Sequence, residues 1–139
     1  MANDLHSALV TSVSALRVQS TRIRVVSENL ANANSTATTA GGDPYVRKTL
    51  SFKEEIDRAS GAAVVRVDSI GRDEAPFRIE HDPGHPAADA DGNVKLPNVN
   101  PLVELADMRE AHRSYEANLQ VVRQVREMAG DLIDLLKGR

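Results

Sequence analysis

The sequence predicts an α+β protein: long N- and C-terminal helices paired as an antiparallel coiled coil, with a small irregular β-rich segment between them. Three observations predict it. The last third, Asn100 to Leu136, keeps one register apolar at a spacing of seven: Met108, Tyr115, Val122, Ala129 and Leu136. The N-terminal stretch does the same with Leu9, Leu16, Ile23 and Leu30. Between them the pattern switches to period-two alternation broken by Gly and Pro, which is strand and turn language rather than helix language. The expected organisation is an N-terminal helix over 1–34, a loop and small β region over 35–99, and a C-terminal helix over 100–139.

The first helix is expected from Asp4 to Asn34. Val13 and Val26 lie beside the main register and widen its stripe. Ser12, Ser14, Gln19, Ser20, Thr21, Arg22 and Arg24 fill the remaining positions. Many Ser and Val residues make this a mediocre helix in isolation, so its stability must come from packing. Ala31 to Pro44 is rich in Ala, Asn, Ser and Thr, with Gly41-Gly42 followed by Asp43-Pro44, which stops the helix and opens a loop.

In the middle, Val46, Lys48, Leu50 and Phe52 alternate with Tyr45, Arg47, Thr49 and Ser51. Val65 and Val67 repeat the alternation within Val64–Ile70, Phe77 and Ile79 repeat it again, and Val94 and Leu96 close it. Asp91-Gly92 is a tight-turn signal. His81-Asp82-Pro83-Gly84-His85-Pro86 reads as a loop. Four short strands with few aromatics are too little to be stable alone.

The second helix has a clear start. Asn100 can cap it, and Pro101 takes the first helical position, where a missing N–H costs nothing. No Pro or Gly follows until Gly130. A second register lies on the same face: Ala111, Asn118, Val125 and Leu132. Asn118 is its polar member, read either as a flanking residue or as a group that fixes register. Pairs such as Glu110/Arg113 and Arg123/Glu127 decorate the other faces. Such a helix is about 54 Å long at ~1.5 Å per residue, whereas a compact globule of this chain length is only about 35–40 Å across. A thin apolar seam of that length needs a partner along its whole extent.

Composition excludes several classes. With 139 residues there is one ordinary domain's worth of chain, but aromatic content is 3% and there is no Trp, so a large compact core is not expected. A net charge of −3 and no basic run beyond Arg47-Lys48 argue against general nucleic-acid affinity. The absence of Cys excludes disulfides and thiol chemistry. The N-terminus has neither a basic region nor a continuous apolar core, so no cleaved secretory signal is expected, and no stretch is long enough to cross a membrane. The plain reading is cytosolic, unless the chain leaves by a route that needs no cleaved signal.

No catalytic, cofactor or metal site is expected. His81, Asp82 and His85 have the residue types of a metal site, but Pro83, Gly84 and Pro86 forbid the helix that would bring the two His together. Asp89, Asp91 and Asn93 resemble the front of a calcium loop, yet Val94 stands where its Gly belongs and Asn100 where its Glu belongs. No nucleophile motif surrounds any Ser, and Gly41-Gly42 lacks the Lys of a phosphate loop. His112, beside the seam, reads as a packing residue. Two function classes remain: a self-contained helical-hairpin adaptor or secretion-apparatus component, and an assembly subunit whose helices pack in a wall of many copies. The second is favoured. Leu5, Val10, Val25, Val121, Ile133 and Leu135 lie outside the main registers and would stay wet in a lone hairpin.

Ser27-Glu28-Asn29-Leu30-Ala31-Asn32-Ala33-Asn34-Ser35 resembles the N-terminal signature of bacterial flagellar axial proteins, the rod, hook and hook-associated subunits. Asp43-Pro44-Tyr45-Val46-Arg47-Lys48, the run from Asp82 to Val99, and Ser114-Tyr115-Glu116-Ala117-Asn118-Leu119 narrow the resemblance to the FlgC family of proximal rod subunits, over about Ser7 to Met128. The resemblance implies a structural subunit of the basal-body rod, the shaft that crosses the periplasm and transmits motor torque to the hook. It implies export through the flagellar type III apparatus without a cleaved signal. It also implies partners: further copies of the chain, the rod subunits FlgB, FlgF and FlgG, and the junction protein FliE. Residues expected to pack between subunits are Leu9, Leu16, Ile23 and Leu30, with Asn29 and Asn32 of the motif. From the second helix they are Met108, Tyr115, Asn118, Leu119, Val122, Val125, Ala129, Leu132 and Leu136.

Overall fold

A computed structural model describes residues 2–138. Its elements run α1 (Ala2–Ala31), β1 (Lys48–Ile56), β2 (Ala63–Arg72), β3 (Arg78–His81), β4 (Asn93–Leu96) and α2 (Pro101–Leu136). Two long helices and two small two-stranded sheets, β1-β2 and β3-β4, make the fold α+β, as the patterning predicts.

Helix α2 begins as its sequence requires. Asn100 Oδ1 accepts the Leu102 N–H at 3.1 Å, and the Asn100 carbonyl accepts the Glu104 N–H at 3.1 Å. Its line of lowest exposure runs Glu104, Met108, Ala111, Tyr115, Asn118, Val122, Val125, Ala129, Leu132, in steps of four and three. Every member of this line is buried or half-buried, so the seam of the sequence is a physical seam of the helix as far as Leu132; Leu136, the last residue of the expected register, is 87% exposed. Helix α1 ends at Ala31, short of Asn34. The Asn32 amide donates to the Glu28 carbonyl at 2.8 Å, and the Ser35 hydroxyl donates to the Asn32 carbonyl at 3.0 Å. Side chains that capture last-turn carbonyls compete with helix continuation.

The chain forms two compact units. The first comprises Met1–Ile23, Ser51–Ser69 and Arg109–Arg139. Here α1 closes on β2 through hydroxyls: Thr11 Oγ1 donates to the Ala63 carbonyl at 2.8 Å, and Ser14 Oγ accepts the Val65 N–H at 3.1 Å. Val18, Val64, Ala111, Val122 and Val125 are its buried apolar residues, with Ala62 and the polar Ser12. The turn joining β1 to β2 is held by Asp57, which accepts the Ser60 hydroxyl at 2.6 Å and the Ser60 N–H at 3.0 Å. Those bonds, the hydroxyl's first, hold the Asp57 carboxyl below its usual pKa. Residues 51–56 are exposed throughout, and this outer half of the hairpin is laced by Lys53–Glu55 and Arg66–Glu55 ion pairs, each at 3.1 Å.

The second unit comprises Arg24–Leu50 and Ile70–Met108. Strands β3 and β4 pair antiparallel, from Arg78 opposite Leu96 to His81 opposite Asn93. The Asp91-Gly92 turn forms where the sequence places it. Gly92 has φ +79°, and a Cβ there would sit 2.9 Å from Pro83 Cγ, so glycine is required both by conformation and by space. Val25, Val26, Ala33, Val94, Pro97 and Val99 are buried in this unit.

Candidate functional site

The most ordered chemistry of the second unit is a polar cluster around Asn29 and Glu104, which are 1% and 0% exposed. Asn29 lies near the end of α1, and its amide reads the backbone of Lys48 at the start of β1. Its Nδ2 donates to the Lys48 carbonyl at 2.9 Å, and its Oδ1 accepts the Lys48 N–H at 2.8 Å. The same Nδ2 donates to Glu104 Oε2 at 3.1 Å, and the same Oδ1 accepts the Tyr45 hydroxyl at 2.9 Å. Two donors and two lone pairs are all an amide has; Asn29 uses every one. No other side chain of its size presents donor and acceptor side by side, which is the physical reason for Asn here.

Glu104 Oε1 accepts from Arg47 Nε at 2.6 Å, and Arg47 Nη1 reaches Asp73 at 3.2 Å. A buried carboxylate costs several kcal/mol unless paired and hydrogen-bonded, and Glu104 has both kinds of partner. Burial works against the Arg47 charge, but the hydrogen bond and charge of Glu104, with Asp73 behind them, outweigh it and hold the guanidinium above its ordinary value. Asp73 titrates low because the Ala75 N–H bonds it and Arg47 faces it. Lys48 Nζ and Glu28 meet at 2.6 Å. That hydrogen bond pulls Glu28 down and Lys48 up. Asn98 completes the frame: its Oδ1 accepts the Arg47 N–H at 2.8 Å, and its Nδ2 donates to the carbonyls of Asp73 and Ala75. The cluster has no bound-substrate geometry. It fastens the end of α1, the start of β1 and the start of α2 to one another by directional bonds.

The predicted packing residues divide by exposure. Val122 and Val125 are buried; Leu9, Leu16, Ile23, Leu30, Asn32, Met108, Tyr115, Leu119, Ala129 and Leu132 are half-buried; Leu136 is 87% exposed. Asn118 is half-buried, and its Nδ2 donates to the Ser114 carbonyl of its own helix at 2.8 Å. The least exposed α1 residues, Ser12, Val18, Val25, Val26 and Asn29, lie mostly to one side of the leucine register. Sequence reasoning missed Glu104 and Arg47 as partners. The available signal was register: Glu104 stands seven residues before Ala111, in the seam itself. Among the described residues no group of three or more His, Cys, Asp or Glu could hold a metal ion, and no helix is long and apolar enough to cross a membrane.

Comparison with known proteins bears on this arrangement. Residues 9–37 match the family described as "Flagella basal body rod protein", and residues 90–135 match "Flagellar basal body rod FlgEFG protein C-terminal". The chain is 57% identical to the flagellar basal-body rod protein FlgC of Agrobacterium fabrum over 96% of both chains. It is 43% identical to FlgC of Salmonella typhimurium over 83% of this chain and 85% of that one. With FlgC of Borreliella burgdorferi it shares 35% identity over 96% of this chain and 99% of the relative. The chain belongs to the FlgC family. As a FlgC-family protein it is a structural subunit of the flagellar basal-body rod. The two segments that match rod-protein families carry the two poles of the cluster: Asn29 lies in the N-terminal match and Glu104 in the C-terminal one. A fully satisfied buried polar network rigidifies the elements it joins.

Proposed function

We propose that the chain is a proximal-rod subunit, exported through the flagellar type III apparatus without a cleaved signal and assembled in the periplasm. Its terminal helices pair along their apolar seams as an antiparallel coiled coil. They pack with copies of the chain and with FlgB, FlgF, FlgG and FliE into the shaft that passes motor torque to the hook. The role is mechanical and non-enzymatic. The N-terminal helix of 1–34 and the C-terminal helix of 100–139 form the packing part, and 35–99 makes the outer contacts between neighbours. The predicted packing residues, from Leu9 and Asn29 to Val122 and Leu136, are the ones that meet other subunits or set the seams that do.

One observation carries this reading. Helix α2 has a filled seam and, beside it, a second set of large apolar residues in water: Leu102 is 77% exposed, Leu135 72%, and Val121, Met128 and Ile133 are exposed too. A helix that kept such residues wet in its working state would be an aggregation hazard; a helix in a multi-subunit wall covers them. Each large residue so covered contributes roughly 1–3 kcal/mol, repeated in every copy.

Val122→Asp tests the reading. It puts a carboxylate into the seam and is expected to block rod assembly and swimming while the chain is still exported. Normal motility in that mutant would contradict the proposal. Circular dichroism of dilute monomer gives an independent check. Termini that lack their partners are expected to be only partly helical. Full helicity with sharp cooperative melting would favour the self-contained adaptor.

A further inference from the structure

We propose that two apolar surfaces of the first unit meet between copies of this chain: the groove between α1 and β2 of one copy receives the exposed C-terminal stripe of α2, which flanks a second groove, from another copy. This rests on the rod reading and names which surface meets which. The two grooves share no residue.

The first groove has a volume of about 570 Å³ and is walled by Leu9, Val10, Val13, Val18, Val64 and Val67. Arg17 stands in it one helical turn beyond Val13. The other charged groups along this groove are answered within the chain: Arg66 pairs with Glu55 at 3.1 Å, and Asp57 accepts from Ser60. Arg17 is exposed and forms no ion pair among the described residues. An apolar slot with one unanswered guanidinium fits an apolar ridge with one carboxylate.

Such a ridge exists at the end of α2. Met128, Asp131, Leu132 and Leu135 are spaced i, i+3, i+4 and i+7, on one face of the helix. With Leu5 and Asp4 of α1 they line the second groove, of about 390 Å³. Met128 and Leu135 are exposed. Asp131 is exposed and forms no ion pair among the described residues. On the α1 wall of the first groove Arg17 follows Val10 and Val13, so stripe and groove each offer apolar residues and one opposite charge. Helix-in-groove recognition uses such anchors at i, i+3 and i+7. Because groove and ridge are different surfaces, each bound pair still offers one free groove and one free ridge. A contact of that kind continues from copy to copy instead of closing on a dimer, as a shaft requires.

Charge reversal tests the pairing. Arg17→Glu and Asp131→Arg each place like charges across the contact and are expected to lower incorporation into isolated basal bodies about tenfold or more. Both positions are exposed, so monomer helix content is expected to be unchanged. The double reversal restores the opposite-charge pair and is expected to regain most of the loss. As the chain has no Cys, copies carrying Val13→Cys mixed with copies carrying Leu135→Cys are expected to give a disulfide-linked dimer only when both are present. Single reversals that incorporate normally, a double reversal that is no better than the singles, or no mixed dimer would overturn the pairing. If Val122→Asp blocks incorporation while Arg17→Glu does not, the pairing fails and the rod reading stands. If Val122→Asp incorporates fully, the seam-packing reading on which the pairing rests fails.

Discussion

The two units of this chain differ in how fully their buried polar groups are satisfied. In the second unit, buried polar groups meet partners within the chain: Asn29 uses all four of its hydrogen-bonding positions, and Glu104 is held by Arg47 and Asn29. In the first unit apolar groups are left over: Val121, Met128, Ile133, Leu135 and Leu136 face water. The same unit holds Gln19 Oε1, buried without a hydrogen-bond partner among the described residues. Apolar side chains are left in water in the second unit as well, Leu102, Ile79 and Val103 among them; what separates the units is that only in the first does a buried side-chain polar atom lack a partner among the described residues. For a subunit of a rod, such a directional joint can keep its geometry while exposed apolar side chains of both units remain available to neighbours.

The comparison can be broken most sharply at Glu104. Glu104→Ala leaves Arg47 without its buried counter-charge and Asn29 with an unused donor, and is expected to cost about 3–5 kcal/mol. Chemical denaturation of purified protein, with amide exchange read in the second unit, measures it. Asn29→Ala comes next. It strips partners from Lys48 and Tyr45 and is expected to cost about 2–3 kcal/mol. Asn29→Asp is expected to be nearly as poor, because a carboxylate cannot donate to Lys48 or Glu104.

Acid is a milder probe of the same division. Glu28, Asp57 and Asp73 have folded pKa values below their ordinary ones. Their stabilisation is therefore present above the unfolded carboxylate range and is lost as pH falls through the lowered values. A pH titration of stability is expected to be flat around neutrality and to decline below about pH 4. The smallest expected effect is at His81. It is exposed and bonded only weakly, at 3.3 Å, to Asn93, so His81→Ala is expected to change stability by less than about 0.5 kcal/mol.

Much of this architecture was legible from local pattern. Asn100-Pro101 marked the start of α2, the alternation from Val46 to Leu96 marked four strands, and Asp91-Gly92 marked a turn that only glycine could complete. What local pattern overran was the end of α1. The small residues Ala31 and Ala33 are compatible with helix, and the carbonyl capture by Asn32 and Ser35 shows only in three dimensions. The Asn29–Glu104 joint was half legible. Asn29 stood in a recognisable motif, but its three partners, Tyr45, Lys48 and Glu104, are scattered along the chain. Glu104 also has an ordinary explanation in sequence, an acidic residue in the first turn of a helix favoured by the helix dipole. That explanation hides a carboxylate whose partner Arg47 lies 57 residues away. Period-based reading finds which face is apolar; it does not find which polar residue is buried on that face.

Apolar surface left in water by the single chain is expected to be covered in the rod. Leu136 offers the most direct test, being the most exposed of the predicted packing residues. The chain has no Cys of its own, so Leu136→Cys provides one thiol, to be labelled with a maleimide on the purified monomer and on isolated basal bodies. Rapid labelling of the monomer and strong protection in the basal body are expected; equal labelling in both would mean that Leu136 stays in water in the rod.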